Sequence, residues 1–360
     1  MYYVIPCFLS IFMMLNKNKK AINIAFVLFS IFFVLRFPMG QDIPGYIYLL
    51  QNSPTVPTLG EGRFIFIDLY FSIFNTLFKN PTVYLFFVST LSCLIIFKTF
   101  KDESVNLGLS CFLFTTTGFA QVYLQSGIRQ GLAMAVLLFA FYKFLMKDKY
   151  WKFALCILLV ATYHDISLLM LLLIPIKKYS GFFTNKIIII LMTTSLAVGL
   201  VIFPIIIPYF SFIGWYYEYL SSYSISIAGI GLQVIQFLIV CTLYHFTPNK
   251  NDINKRIPFI INCASLSLYL LFIGYPLISR VCDFLHILNF IYIPFLLVDI
   301  MKNRVGEFLT VTLLFLNLFL LFTDLQSSIN AMEPASNINI LNYPYNISFI
   351  YDYEDIFDVY

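Results

Sequence analysis

Charged residues are scarce in this chain of 360 residues. Asp, Glu, Lys and Arg together make up 11% of the sequence, whereas soluble domains carry about 25%. Hydrophobic residues make up 60%, and long apolar runs recur from one end of the chain to the other. A helix needs about 20 apolar residues to span a membrane. The sequence therefore predicts an all-α, polytopic integral membrane protein without a soluble domain.

Sequence motifs of several enzyme classes are also missing. The seven cysteines lie in or beside apolar runs and show no CxxC or Cys/His ligand spacing, so neither a disulfide framework nor a zinc site is predicted. No P-loop, dinucleotide fingerprint, DxD, HExxH or GxSxG motif is present. The sequence gives no support for nucleotide-driven chemistry. We expect no cofactor and no bound metal, and nucleic acid is not an expected partner.

The apolar runs predict about 11 to 12 helical segments, some of them half-helices. We predict a single transmembrane helical domain over residues 1–323 and an acidic external C-terminal tail over residues 324–360, which contain no Lys or Arg. The predicted segments are 1–15, 21–37, 63–78, 82–100, 106–119, 126–146, 187–207, 229–246, 257–275, 281–300 and 305–323, with a split run over 153–176.

The lysines indicate which loops face the cytoplasm. They cluster near residues 17–20, 143–152 and 177–186, and loops rich in Lys and Arg are retained on the cytoplasmic side. The opposite side then holds the external loops 38–62 and 208–228. Loop 38–62 contains four Pro and four Gly, which favours an irregular segment and not a helix.

Two places do not fit a simple count of spans. Four runs separate loop 38–62 from the lysines near residue 147, where topology requires an odd number, so either 63–78 or 106–119 is not a full span. Run 153–176 has lysines at both ends. Residues 153–163 rise only about 16 Å as a helix, against a membrane core of about 30 Å. We therefore predict a helical hairpin whose tip, "YHDIS", reaches the level of an external cavity.

The chain has 16 lysines and six arginines, and four of the arginines map to the external half. Charged residues inside membrane segments usually face a bundle interior or water and mark function. The planar guanidinium group binds phosphate in a bidentate manner. This distribution predicts a phosphate-bearing lipid or another polyanionic ligand, and its candidate binding residues are Arg36, Arg63, Arg129 and Arg280.

Three of these arginines also have simpler interpretations. Arg36 ends a predicted span and could anchor that span at the lipid headgroups. Arg63 follows Glu61 and could form a local ion pair with it. Arg280 lies close to Asp283 and could pair with that acid. Both interpretations stay open for each of the three.

Arg129 is harder to explain as a structural residue. It lies inside an apolar run in the stretch "SGIRQG", and no acid lies within four residues of it. Gly127 and Gly131 flank it, and their lack of a side chain would let a ligand or another helix approach closely. We predict that Arg129 binds substrate; the alternative is that it pairs with an acid such as Asp165.

A histidine and a loop acid are candidates for proton transfer. His164 lies at the break between two half-helices, beside Asp165, and histidine titrates near neutral pH. Asp42 lies in the external loop together with Tyr46, an aromatic residue suited to stacking on sugars. Each could be structural instead, as a buried histidine satisfied by a neighbour and as a solvated loop acid.

The order of several short motifs resembles the EpsG-like family of exopolysaccharide polymerases, which overlaps the Wzy O-antigen polymerases. The motifs cover nearly the whole chain, and their order and spacing together carry the resemblance. They are "GQDxxxY" (40–46), "EGRFxF" (61–66), "GIRQGLA" (127–133), "TYHDISLL" (162–169), "SRVCDF" (279–284) and "NYPY" (342–345).

The resemblance implies a metal-independent membrane glycosyltransferase with an architecture related to the GT-C class. Such a polymerase would lie in the bacterial inner membrane with its active site facing the periplasm. Its substrates would be undecaprenyl-pyrophosphate-linked oligosaccharides, as donor and as acceptor, with membrane lipid around it and a chain-length regulator as a candidate partner. Arg129 and Arg280 match the family's arginine positions, His164 its histidine, and Asp42 its loop acid. Asp165 departs from the family pattern, which often has a small or basic residue there.

We therefore expect His164 to act as the base, with Asp42 as the second choice. Arg129 and Arg280 would stabilise the pyrophosphate leaving group, with assistance from Arg63 or Arg36. Alternative functions are an O-antigen ligase and, in another class, a lipid-linked oligosaccharide flippase or transporter. The complete set of expected substrate-binding residues is Arg129, Arg280, Arg63, Arg36, Glu61 and Tyr46.

Overall fold

A computed structural model describes most of the chain. The residues described form helices joined by turns, and none of them lies in a β-strand. Residues 36–41, 55–64, 206–226 and 320–360 fall outside it. The predicted tail over 324–360 and all but the last two residues of the predicted external loop 208–228 are therefore not described. The described ranges are 4–35, 42–54, 65–78, 80–117, 119–125, 127–202, 205, 227–275, 277–301 and 306–319.

The described residues fall into two compact units. Unit 1 comprises those of Met1–Leu168 and Phe308–Tyr360, and unit 2 comprises those of Leu169–Glu307. The division of the chain into a membrane domain over 1–323 and a tail stays a prediction. Residues 308–319 of the last helix described below also belong to unit 1. In the part of unit 1 before residue 169 the helices are α1 Val4–Leu15, α2 Lys19–Val34, α3 Ile43–Gln51, α4 Ile65–Phe78, α5 Pro81–Glu103, α6 Leu107–Thr116, α7 Phe119–Gln125, α8 Ile128–Ala140 and α9 Tyr150–Ala161.

The remaining α-helices follow a 3₁₀-helix in the chain. A 3₁₀-helix runs over Asp165–Leu172 and leads into unit 2. The run predicted over 281–300 is in fact two helices, which are bent by 47° at residues 287–288. The other α-helices are α10 Leu173–Lys178, α11 Asn185–Ala197, α12 Ile227–Phe246, α13 Ile253–Leu271, α14 Leu277–His286, α15 Asn289–Ile300 and α16 Gly306–Phe319.

Among the described residues, three helices are long and apolar enough to cross a membrane. They are Pro81–Glu103, Ile128–Leu145, which is α8 extended by a π-helical turn, and Asn185–Ile202, which is α11 with a similar extension. The bent pair α14 and α15 makes a fourth if it is one broken span. Shorter apolar helices of 10–17 residues are also present among the described residues. The prediction of an all-α, polytopic membrane protein is confirmed.

Helices α5 and α8 run side by side in the same direction. At their C-terminal ends, Lys147 donates to Glu103 at 2.8 Å, and Lys143 lies 3.9 Å from Asp102. At their N-terminal ends, Tyr84 and Ile128 belong to one buried hydrophobic cluster. We call the first the lysine end of unit 1 and the second the Arg129 end.

The parallel course of α5 and α8 bears on which predicted segment is not a full span. The chain between them must return from the lysine end to the Arg129 end, so α6 and α7 together make this crossing. Helix α4 instead lies at the Arg129 end, where Phe71 and Phe74 contact Tyr84 ring to ring. Asn75 of α4 also donates to the carbonyl of Ser53 at 2.7 Å. Within unit 1 this geometry favours 63–78, and not 106–119, as the incomplete span.

The prediction that loop 38–62 is irregular is wrong for its described part, because α3 occupies Ile43–Gln51. Pro44 lies in the first turn, where the missing N–H of proline costs nothing. Ile43, Ile47 and Leu50 recur at helical spacing and are buried, so one face of α3 packs on the core. The prolines and glycines indicate an irregular segment, whereas the spacing of the buried residues is that of a helix.

The predicted break in run 153–176 is confirmed in position. Helix α9 ends at Ala161, and residues 162–164 form a turn before the 3₁₀-helix begins at Asp165. A 3₁₀-helix of eight residues is unusually long. That the chain returns to the lysine side as a hairpin stays a prediction.

Candidate functional site

Arg129 is the second residue of α8, at the N-terminal end of that helix. Gly127 holds the cap position and has no side chain to accept hydrogen bonds from the first turn. The first N–H groups of a helix lack acceptors within the helix, and the helix dipole makes this end positive. The guanidinium group and the start of α8 therefore place positive charge together.

Within the described part of the chain, neutral groups hold the Arg129 side chain. Its Nη2 donates to the main-chain carbonyl of Tyr163 at 2.9 Å, and its Cζ lies 5.6 Å from the centroid of the Tyr163 ring. Its Nε is shielded from solvent and has no acceptor among the described residues. No described carboxylate lies within 4.0 Å of it. Arg129 therefore does not pair with Asp165, the alternative considered from the sequence.

The turn that receives Arg129 is held by two tyrosines from other helices. The hydroxyl groups of Tyr84 and Tyr163 share a hydrogen bond of 2.5 Å. Tyr70 contacts the Tyr163 ring edge-on at 5.3 Å and shares a hydrogen bond of 2.7 Å with Thr162. Sequence reasoning missed these tyrosines; the only available signal was that Thr162 and Tyr163 precede His164 in a quoted motif.

His164 directly follows this turn. Its Nδ1 lies 3.6 Å from Oδ1 of Asp165, and its side chain is 14% exposed, against 58% for Asp165. The main-chain carbonyl of His164 accepts a hydrogen bond from the hydroxyl of Ser167. The imidazole is therefore partly shielded, close to an acid, and adjacent in sequence to the residue that holds Arg129.

Asp42 reaches the same region from α3. It immediately precedes that helix, and its Oδ2 lies 3.7 Å from the position that a Cβ of Gly127 would occupy. Tyr46, one turn further along α3, packs against the cluster that contains Ile128 and Tyr163. Asp42 and Tyr46 therefore both lie at the Arg129 end.

The structure thus brings four predicted residues to one end of unit 1: Arg129, His164, Asp42 and Tyr46. Arg280 is exposed on α14 and belongs to unit 2, where Asp283 lies 3.9 Å from His286. The other predicted residues, Arg36, Arg63 and Glu61, lie outside the described part of the chain.

Glycine at position 131 gives α8 its close contact with α7. A Cβ added there would collide with the main-chain carbonyl of Tyr123. The flanking glycine predicted to allow close approach therefore admits a neighbouring helix. At Gly127 an added Cβ would meet its neighbours only at ordinary contact distances, of 3.5 Å and more.

The chemistry available at the Arg129 end combines a cation with two proton acceptors. The guanidinium can bind an oxyanion, while the imidazole and the carboxylate can accept protons. No group of three His, Cys, Asp or Glu side chains capable of holding a metal ion forms within the described ranges. The role of each residue, and independence from metal, remain predictions.

Comparison with known proteins identifies the family. The chain matches the model of the EpsG family over residues 19–346, a range that includes Asp42, Arg129, His164 and Arg280. No curated protein and no solved structure is detectably similar to it. The family indicates a glycosyltransferase-like polysaccharide polymerase with lipid-linked oligosaccharide substrates. Because the match covers most of its length, this multi-pass membrane protein belongs to the EpsG family.

Proposed function

We propose that the protein polymerises a bacterial surface polysaccharide, either O-antigen or exopolysaccharide. It transfers the growing glycan from undecaprenyl pyrophosphate to one lipid-linked repeat unit. The reaction takes place at the Arg129 end of unit 1, facing the periplasm from the inner membrane. Family membership supports the class of reaction, and the lysine clusters support the orientation.

The observation that carries this proposal is the Arg129 guanidinium, which has no described acid in ion-pair range and keeps one buried donor, Nε, without an acceptor among the described residues. A buried donor without an acceptor costs about 1–3 kcal/mol, and an oxygen of a bound ligand would remove that cost. Pyrophosphate supplies such oxygens together with negative charge. The charge increases as the sugar leaves, so a fixed cation stabilises the transition state more than the ground state.

The reaction breaks the bond between sugar C1 and the pyrophosphate oxygen and forms a bond from C1 to an acceptor hydroxyl oxygen. The electron pair of the broken bond leaves with pyrophosphate, beside Arg129. The hydroxyl proton passes to a base, for which His164 is our first choice and Asp42 the second. Arg280 is proposed as a second cation, and Arg63 or Arg36 would assist.

Replacement of Arg129 tests the proposal. In cells carrying Arg129→Ala, long glycan should disappear from gels and lipid-linked single repeat units should accumulate. Arg256→Ala is the matched control, because Arg256 is also partly exposed and also donates to a main-chain carbonyl, that of Phe183 at 3.5 Å. This control should keep its polymer. Full-length polymer in the Arg129→Ala strain would contradict the proposed function.

A deletion strain separates the alternative functions. In a host that makes lipopolysaccharide, a missing polymerase leaves one repeat unit attached to the lipid A core. A missing ligase or flippase leaves none, and a missing flippase also retains the units on the cytoplasmic face. A bare core would therefore replace the polymerase assignment with one of these two.

A further inference from the structure

The turn of residues 162–164 is fixed from two directions before the chain reaches Asp165. Thr162 is bonded to the hydroxyl of Tyr70 on α4 and Tyr163 to that of Tyr84 on α5, at 2.7 and 2.5 Å. These partners lie 92 and 79 residues away in sequence. Two separate helices therefore restrain consecutive residues of a single turn.

The Tyr163 side chain is restrained at its tip and along its ring. Its hydroxyl is bonded to Tyr84, and the Tyr70 ring meets its own at an interplanar angle of 82°. The Arg129 guanidinium lies over the ring and also donates to the carbonyl of the same residue. Any displacement of Tyr163 would thus move the acceptor and the aromatic surface that orient Arg129.

We propose that Tyr84 and Tyr70 are positioning residues, whose hydroxyl groups fix the 162–164 turn and thereby align Arg129 and His164 with each other. This inference rests on the function proposed above, since it assumes that both side chains serve the transfer reaction. The turn links the two: the Tyr163 carbonyl orients the cation, and the next residue is the proposed base.

The burial of Tyr84 and its partner Tyr163 supports a positioning role for the Tyr84 hydroxyl and not a catalytic one, while Tyr70 is half-buried and has its hydroxyl bonded to Thr162. Tyr84 is 1% exposed and Tyr163 is 8% exposed, so neither presents its hydroxyl group to a substrate. Phenylalanine would fill the same volume without a polar group to desolvate. Buried polar contacts that are fully satisfied specify one geometry, and a displacement of about 1 Å in a site can lower a rate by about 100-fold.

The test uses the full-length protein, purified in lipid nanodiscs and supplied with the lipid-linked repeat unit. Tyr84→Phe and Tyr70→Phe should each lower kcat about tenfold and leave KM within about twofold, because alignment matters most in the transition state. Tyr292→Phe is the matched control, since Tyr292 is also buried and donates to the Lys255 carbonyl at 2.7 Å. The melting temperature of Tyr292→Phe should fall as much as that of Tyr84→Phe and Tyr70→Phe. The kcat of Tyr292→Phe should stay at the parental value.

A double-mutant cycle distinguishes positioning from general loosening of the fold. In an Arg129→Lys background the cation no longer uses the guanidinium geometry, so Tyr84→Phe should lower kcat by less than threefold. A loss of tenfold in both backgrounds would overturn the inference, and so would a parental kcat in Tyr84→Phe.

Failure of this inference and failure of the proposed function give different results. If Arg129→Ala abolishes polymer while Tyr84→Phe and Tyr70→Phe keep the parental kcat, only the positioning role is lost. If Arg129→Ala retains full polymer, the function fails and the positioning role fails with it.

Discussion

The two ends of unit 1 treat positive charge in opposite ways. At the lysine end, Lys147 and Lys143 face Glu103 and Asp102 across α5 and α8. At the Arg129 end, the cation is oriented by a carbonyl and an aromatic ring, with no described acid in ion-pair range. Lysines are paired with acids at the first end, whereas the described part of the second end offers Arg129 no acid.

Under the proposed function, this contrast distinguishes the structural charges at the lysine end from the functional charge at the Arg129 end. Exposed ion pairs contribute about 0–1 kcal/mol each to the free energy of unfolding. Loss of one pair at the lysine end should therefore change the stability of the protein little. We propose that the cation at the Arg129 end, which neutral groups orient, gains its counter-charge from substrate. Substitutions at the Arg129 end should therefore affect catalysis first.

Loss of the proposed base should have the largest effect after loss of Arg129 itself. We expect His164→Ala to lower polymer formation at least about 100-fold, as is usual when a general base is removed, with single lipid-linked units accumulating. Glycan gels and extraction of lipid-linked units measure this. His245→Ala is the control, because His245 is exposed and should be dispensable. Unchanged polymer in His164→Ala would transfer the role to Asp42 or to no base at all.

The spacing of α7 and α8 should be nearly as sensitive. In Gly131→Ala the new methyl group collides with the Tyr123 carbonyl, and we expect a loss of about 2–3 kcal/mol of stability together with reduced activity. Gly231→Ala, also within a helix but with no atom within 4 Å of the added Cβ, should be neutral or slightly stabilising. Melting curves in detergent compare the stability of the two variants. Equal curves would contradict the prediction and show that α7 can move to accommodate the added methyl group at little cost.

Neutralising a paired cation should matter much less. Lys147→Met removes the 2.8 Å bond to Glu103 and should cost at most about 1 kcal/mol, with polymer of normal length. The measurements are the melting curve and the glycan gel. Loss of polymer in this variant would mean that the lysine end also serves the reaction, and the contrast between the ends would no longer hold.

Removal of divalent metal should have no effect on the rate. The proposed transfer relies on arginine and not on a bound ion to stabilise the leaving group. Purified protein treated with EDTA should keep its kcat at constant ionic strength. A loss that Mg²⁺ or Mn²⁺ restores would add a metal to the Arg129 end.

Some of this site could be predicted from local sequence. A lone arginine in an apolar run, glycines on either side and a polar break at residues 162–164 are all short-range signals, and they led to Arg129 and His164. Helix α3 was not predicted although its evidence is local. The prolines and glycines of this segment indicate an irregular loop, whereas the spacing of Ile43 and Ile47 indicates a helix.

Other features depend on contacts that no local pattern encodes. A tyrosine in an apolar run, such as Tyr84, has the same sequence signature whether it packs as a ring or bonds through its hydroxyl. Only the folded chain places it against Tyr163, 79 residues away. The incomplete span was likewise undecidable between 63–78 and 106–119 until α5 and α8 were seen to run in parallel.

The contact at Gly131 also bears on how such a protein can diverge. Because main chain meets main chain there, the spacing of α7 and α8 does not depend on which apolar side chains line the two helices. Those side chains can therefore vary while the first turn of α8 keeps its position. The glycine at position 131 thus makes the spacing of these helices independent of the other side chains that line them.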